Sequence, residues 1–307
     1  MEDKNNPLLC DPKEGVCAIP GSEANNEVTV STNTKTKELK IVYFTDPICS
    51  TCWGIEPQLR KLKLEYGQLV EIEYRMGGLL PNWSYNSGGI SQPSDVAHHW
   101  DEVSEHYDMP IDGDVWLEDP LHSSYPPSIA YKAVELQAPD KAPLFLRTIR
   151  EMVFLQKKNI AKEEQLIIAA QKLGLDIVQF KTDMAGKAKD LFEEDLKMAR
   201  AYGVRGFPTL FFLDEKGQKQ VLYGLKPYAF YETTILTMAP ELVKQEYHKN
   251  WEKLFAKYAS WTAREFSEVS GTPRKESEVL LNQLTADKKL DKWTTKNGSI
   301  WTIKPNH

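Results

Sequence analysis

Residues 41–53, IVYFTDPICSTCW, decide the fold: an apolar run, a proline, then Cys49 and Cys52 two residues apart with Trp53 directly behind. Leu39 to Phe44 has the continuous apolar character of a buried strand, and Ile55, Leu59, Leu62 and Tyr66 recur at helical spacing up to Gly67. Val70 to Met76 follows as a second strand. Strand, helix and strand within about forty residues form a βαβ unit, which implies parallel strands and a right-handed crossover. The cysteine pair sits where the first strand passes into the helix.

Two cysteines at this spacing serve zinc sites, iron–sulfur sites and redox centres alike. A structural zinc needs four ligands, usually a second such pair or two histidines at defined spacing, and nothing downstream supplies either. The only other cysteines are Cys10 and Cys17, which complete a set of four only if the N-terminal arm folds back over the pair; otherwise they are two incidental thiols of that arm. A redox role has its own support. The free N–H groups and dipole of a helix N-terminus stabilise a thiolate, taking a cysteine from a pKa of about 8.5 to roughly 3.5–7.5. Cys49 is therefore expected to be the nucleophile, with a lowered pKa. Cys52, one turn further on, is the resolving thiol.

The remainder of the chain sets limits. With 307 residues and 41% hydrophobic content it buries a sizeable core, and its length favours two domains or one domain with a large insertion. A net charge of −6 and a pI near 5.7 argue against a general footprint for nucleic acid or anionic membrane. The opening MEDKNNPLLC lacks the basic and apolar regions of a signal peptide, and no stretch approaches the roughly 18 apolar residues of a membrane span. The chain is expected to be cytoplasmic.

Residues 1–36 show neither helical nor strand periodicity and read as a flexible arm. Residues 37–240 form an α/β domain interrupted over about 90–203 by an all-helical insertion. Helices are expected at Asp95–Tyr107, Ser128–Gln137, Pro143–Lys157, Lys162–Leu173 and Ile177–Ala201. Strands return at Pro208–Leu213 and Gln220–Tyr223, before a helix at Tyr228–Met238. Residues 241–307 carry two short helices and a hairpin pattern around Asn297-Gly298, the order of a winged helix. Eight Lys/Arg against six Asp/Glu in residues 260–307 give a DNA-reading role little support, so this C-terminal domain is expected to dock protein, with Trp251, Trp261, Trp293 and Trp301 suited to packing and contact. His99, Glu102 and His106 share a helical face but lack a metalloprotease spacing and a fourth ligand; a solvated helix face is the simpler reading, and no metal or cofactor is expected.

With its C-S-T-C-W motif, Pro57 five residues after Cys52, and the distant Gly203-Val204-Arg205-Gly206-Phe207-Pro208-Thr209, the chain resembles the thioredoxin superfamily, in its DsbA-like branch. The resemblance covers about residues 39–240. It implies a thioredoxin-like α/β fold with an inserted all-helical subdomain, to which the winged-helix-like α+β extension is added. It also implies a helix that begins at Cys49 and kinks at Pro57, and a cis Phe207-Pro208 bond lying against the dithiol, where the backbone before the proline binds an extended segment. Ordinary alternatives are buried structural thiols for the pair and a trans proline opening an edge strand. Trp53 either packs beside the motif or joins Phe207 and Pro208 in contacting a client.

Two functions follow. The Gly77-Gly78-Leu79-Leu80 stretch is similar to the FrnE-like, cytoplasmic dithiol-disulfide isomerases, implying a thiol-disulfide oxidoreductase or isomerase that acts on protein clients through Cys49 and Cys52 and draws on an electron-donor reductase. The motif, the helical insertion and the C-terminal extension are also similar to the YjbH/SpxH adaptors, which deliver the regulator Spx to a protease. There the groove holds a client and the dithiol senses redox state or is incidental. The enzyme is the leading expectation and the adaptor its alternative. Glutathione-dependent isomerases and kappa-class transferases share the layout but carry serine where this chain has Cys49.

Overall fold

In the computed structural model residues 10–11, 15–18, 39–85 and 92–304 are described. The chain enters through two short strands, β1 (Cys10–Asp11) and β2 (Val16–Ala18), paired antiparallel with Cys10 opposite Cys17. This corrects the reading of residues 1–36 as an arm without strands. Two- and three-residue strands are too short for side-chain alternation to reveal; their pairing is made by backbone groups, which carry no sequence signature.

The main sheet is built on β3 (Leu39–Thr45), whose residues are nearly all buried. Helix α1 (Ser50–Gly54) follows, broken from α2 (Glu56–Tyr66) at Ile55, with Pro57 at the second position of α2. Proline has no N–H to bond back into the preceding turn, so the expected kink falls here. Strand β4 (Val70–Met76) runs parallel to β3, in register from Leu39↔Val70 to Thr45↔Met76. The βαβ unit is as expected.

Among the described residues seven α-helices intervene: α3 (Pro93–Tyr107), α4 (Val115–Glu118), α5 (Tyr125–Gln137), α6 (Ala142–Leu155), α7 (Glu163–Lys172), α8 (Ile177–Ala185) and α9 (Lys187–Ala201). The single helix expected over Ile177–Ala201 is two, because Gly186 leaves the helical region at φ −126°, ψ −109°. Asp195 of α9 is fully buried, where it accepts from the Met76 amide at 2.9 Å and pairs with Lys132 and Arg75, each at 2.8 Å. That cluster pins the insertion to the end of β4.

After the insertion, β5 (Gly206–Phe207), β6 (Thr209–Asp214) and β7 (Lys219–Tyr223) complete the sheets, and α10 (Tyr228–Met238) packs on α2, β6 and β7. The four-stranded order is β4-β3-β6-β7, with β6 antiparallel to both neighbours. Strand β5 belongs to a separate small sheet, β1-β2-β5. The architecture is thus a thioredoxin-like α/β fold carrying a helical insertion.

The C-terminal segment adds α11 (Trp251–Lys257), β8 (Ser260–Thr262), α12 (Ala263–Ser270), α13 (Arg274–Ala286), β9 (Leu290–Thr295) and β10 (Gly298–Ile303), its sheet ordered β8-β10-β9. It has a hydrophobic cluster of its own, including Leu254, Phe255, Trp261, Phe266, Leu281 and Trp301. The hairpin tip turns inward. Lys296 pairs with Asp101 and Asp114, and Asn297 donates to Asp101 and to the Ile111 carbonyl, each of these at 2.8 Å or less. Among the described residues no helix is long and apolar enough to cross a membrane.

Candidate functional site

Cys49 is the N-cap of α1, in extended conformation at φ −74°, ψ 109°. Its Sγ accepts from the Cys52 amide at 3.2 Å, the capping bond that a free N–H of the first turn requires. Neither cysteine is in a disulfide, and both are without solvent exposure.

Beneath the pair lies Arg150 of α6, itself fully buried. Its guanidinium donates to Glu56 at 2.8 Å, to Thr45 Oγ1 at 2.6 Å and to the Asp46 carbonyl at 3.1 Å. Asp46 receives the Ile48 and Leu79 amides at 3.0 and 2.7 Å and the Ser124 hydroxyl at 2.8 Å. Burial, only partly offset by those donors, raises its pKa to about 6.

The electrostatics correct one expectation. Burial pushes the Cys49 thiol up rather than down, and the hydrogen bond with Cys52 and the charge of Cys52 push the same way. Burial opposes ionisation of Cys52 as well, but the hydrogen bond from Cys49, the charge of Arg150 and the hydroxyls of Thr45 and Tyr43 outweigh it, so its pKa is lowered. Desolvation penalises both thiolates; the hydrogen bond between the two sulfurs, which raises Cys49 and lowers Cys52, separates them, and the charge of Arg150 lowers both. The sequence reading missed Arg150. The signal was present in Arg147 and Arg150, two cations on α6 among Phe145, Leu146, Ile149, Met152 and Val153, a face otherwise built to be buried.

The peptide bond between Phe207 and Pro208 is cis. Phe207 is fully buried, its ring lying so close to Gly77 that a Cβ there would fall 1.7 Å from Cζ. The backbone edge of β5 is taken by β2, with Cys17 opposite Phe207 and Ala18 opposite Gly206. Strand β2 also packs on α1, so the dithiol helix and the edge beside Pro208 flank the same segment of this chain. Of the N-terminal arm, the described strand Val16–Ala18 does fold back to this face.

Trp53 is sealed in the interior. Its indole donates to the Pro110 carbonyl at 3.1 Å, stacks on Phe154 with centroids 5.6 Å apart, and carries the Arg147 guanidinium 4.3 Å from its ring centre. This is the packing position of the two considered. The helical face of His99, Glu102 and His106 is not uniformly solvated: His99 is buried and held below its ordinary pKa by desolvation, while His98 pairs with Glu102 outside. Among the described residues no three His, Cys, Asp or Glu side chains gather as a metal site.

A thioredoxin family model matches residues 43–233. The ClpXP adapter protein SpxH of Halalkalibacterium halodurans is 36% identical over 309 aligned positions, spanning 98% of this chain and 99% of that protein. The ClpXP adapter protein SpxH of Bacillus subtilis is 30% identical, over 86% of this chain and 89% of that one. Of solved structures, a putative protein disulfide isomerase from Nitrosomonas europaea superposes with a TM-score of 0.57 at 20% identity, covering 66% of this chain and 99% of its own. The cytosolic disulfide reductase DsbM from Pseudomonas aeruginosa gives 0.53 at 23%, covering 64% and 99%. The expectation that this chain is a dithiol-disulfide oxidoreductase or isomerase is overturned here: the proteins it matches from end to end carry the name of protease adapters, and the disulfide-handling structures share its fold alone.

Proposed function

The chain belongs to the thioredoxin family and, within it, to the SpxH group, and on that premise we propose that it is a ClpXP adapter, presenting a protein client to the protease. The observation that carries this reading is coverage. The disulfide reductase fold accounts for 64% of the chain, whereas the SpxH relative accounts for 98% and so includes the C-terminal segment. A dithiol without solvent access, its first cysteine pushed towards the thiol form, also suits a protein that holds clients better than one that turns them over.

Three finer points belong to this reading. The C-terminal segment is a winged-helix-like docking module, supported by its order of helix, strand, two helices and a two-stranded hairpin. Cys49, Cys52, Phe207 and Pro208 form the face on which a client strand is received, by pairing with the β5 edge in place of β2. The adapter works in the cytoplasm, with no nucleic-acid or membrane partner.

The test is degradation of Spx, the client that the family resemblance implies, by purified ClpXP with and without this chain. Acceleration by tenfold or more supports the adapter. An unchanged rate, together with multiple turnover of protein disulfides by the chain, overturns it.

A further inference from the structure

The β1–β2 hairpin covers the strand edge beside Pro208, through backbone pairing with Gly206 and Phe207. Its turn is fitted to a seat. The Leu225 amide donates to the Gly15 carbonyl at 2.6 Å, and Gly15, buried and at φ 65°, has Leu225 so close that a Cβ would lie 2.8 Å from that amide nitrogen. Only glycine fits that approach. On the hairpin, Cys10 and Cys17 are register mates. Facing residues of antiparallel strands have Cα atoms about 4.5–5.5 Å apart, inside the roughly 4.4–6.8 Å that a disulfide spans.

We propose that this hairpin is a built-in occupant of the edge beside Pro208, and that Cys10 and Cys17 form a cross-strand thiol pair whose oxidation to a disulfide keeps that edge covered. The physical reason is the size of the hairpin. Strands of two and three residues are marginal in water, so the reduced hairpin exchanges readily between docked and frayed states. A disulfide across its only facing cysteines removes most of the frayed ensemble and shifts the population towards docking.

The oxidant is a low-molecular-weight disulfide, RSSR. One cysteine thiolate attacks a sulfur of RSSR, breaking that S–S bond, forming a mixed disulfide and releasing RS⁻. The second thiolate attacks the mixed disulfide, forming the Cys10–Cys17 bond and releasing the other RS⁻. The two thiol protons end on the two RSH molecules, and reduction by two RSH reverses the sequence. The proposal deepens the adapter reading by giving the same edge a redox-set cover, and its test needs no client or protease, so either can fail without the other.

Full-length chain with Cys49→Ser and Cys52→Ser isolates the pair. After equilibration with oxidised or reduced glutathione, intact mass and peptide mapping identify the linkage, and amide hydrogen exchange is followed across residues 203–210. The expected result is a monomer lighter by two hydrogens, linked between Cys10 and Cys17, with exchange over 203–210 slowed at least tenfold by oxidation. In the otherwise unaltered chain carrying Cys10→Ser and Cys17→Ser, oxidation leaves that exchange unslowed, and removal of residues 1–36 makes it fast under both conditions. Exclusive glutathione adducts or intermolecular links, a Cys17–Cys49 bond as the sole product in the four-cysteine chain, four thiols holding one stoichiometric metal ion, or exchange indifferent to both oxidation and truncation would each overturn the proposal.

Discussion

Arg147 grips Glu265 with both arms of its guanidinium, Nη1 to Oε1 at 2.6 Å and Nη2 to Oε2 at 3.1 Å, where the glutamate has no solvent exposure. Arg60 reaches the same carboxylate at 3.2 Å and the Ser260 carbonyl at 2.6 Å, and the Thr262 amide donates to Glu265 Oε2 at 2.8 Å. One carboxylate thereby joins α2, α6 and the capping box of α12, the insertion to the C-terminal segment.

Glu265→Ala leaves two arginines buried without their shared partner and is expected to cost about 3–5 kcal/mol of stability. Replacing the partners together, Arg147→Met with Glu265→Leu, should cost far less than the sum of the single changes. Urea denaturation of the unaltered chain, Glu265→Ala, the two further single variants and the double variant reads both effects. A single-mutant loss below about 1 kcal/mol, the range of exposed pairs, would remove the argument.

Acid should loosen this junction. Burial opposes ionisation of Glu265, but Arg147 and Arg60 hold its carboxyl below the usual range. Because the folded pKa is depressed, its contribution is present above the unfolded value near 4.5 and is lost as pH falls through the lowered one. Limited proteolysis between α10 and α11 should therefore accelerate only below about pH 4.5.

Asp46 gives the opposite sign. Its folded pKa of about 6 lies above the usual 3.8, so the folded state binds its proton more tightly, and stability falls as pH rises from about 4 to 6 before levelling. The span of about two units corresponds to roughly 3 kcal/mol. Carboxyl NMR of a selectively labelled chain should show one aspartate titrating near 6, absent in Asp46→Asn. All aspartates titrating below about 4.5 would refute it.

Arg150→Leu removes the cation beneath the dithiol and takes from Glu56 the nearer of its two arginines, leaving Arg147 at 3.8 Å. The first thiol ionisation, followed as thiolate absorbance against pH, should move upward, and stability should drop by about 3 kcal/mol or more. An unmoved ionisation would mean that the helix terminus alone sets it.

Gly77→Ala places a methyl group inside the Phe207 ring, which must shift and carry the β5 edge with it. A loss of about 1–3 kcal/mol is expected, with faster hydrogen exchange over residues 203–210. Gly174, which has no neighbour within 4 Å of a built Cβ but sits at φ 64°, is the contrasting case: Gly174→Ala should add backbone strain alone, lowering stability while leaving that exchange untouched.

Where the sequence was legible, a local rule was at work. The strands 39–45 and 70–76, the helix break at Pro57 and the helix at 228–238 each follow from apolar periodicity or a missing N–H, and the cis bond before Pro208 from a family motif of contiguous residues. What escaped depends on distance in the chain. Arg150 stands on a face patterned for burial, but its partners Thr45 and Glu56 are far away in the chain, and Glu265 meets Arg147 only once α6 reaches α12. The pairing of Cys17 with Phe207 is a backbone register across the whole chain, and the dryness of Cys49 follows from covering elements that no window around residue 49 contains. The enzyme expectation failed for a related reason: a dithiol motif specifies local geometry, while function here followed the relatives that share the whole chain.

The position of β3 has a consequence for synthesis. It pairs with β4, which directly follows it, and with β6, as in Leu39↔Asp214, which the ribosome delivers only after the entire helical insertion. At about 5–20 residues per second the central strand waits on the order of ten seconds with one apolar edge open. A nascent chain stalled within the insertion therefore presents Leu39, Ile41, Tyr43 and Phe44 unpaired on that side, an adhesive edge of the kind that invites cotranslational aggregation or chaperone capture.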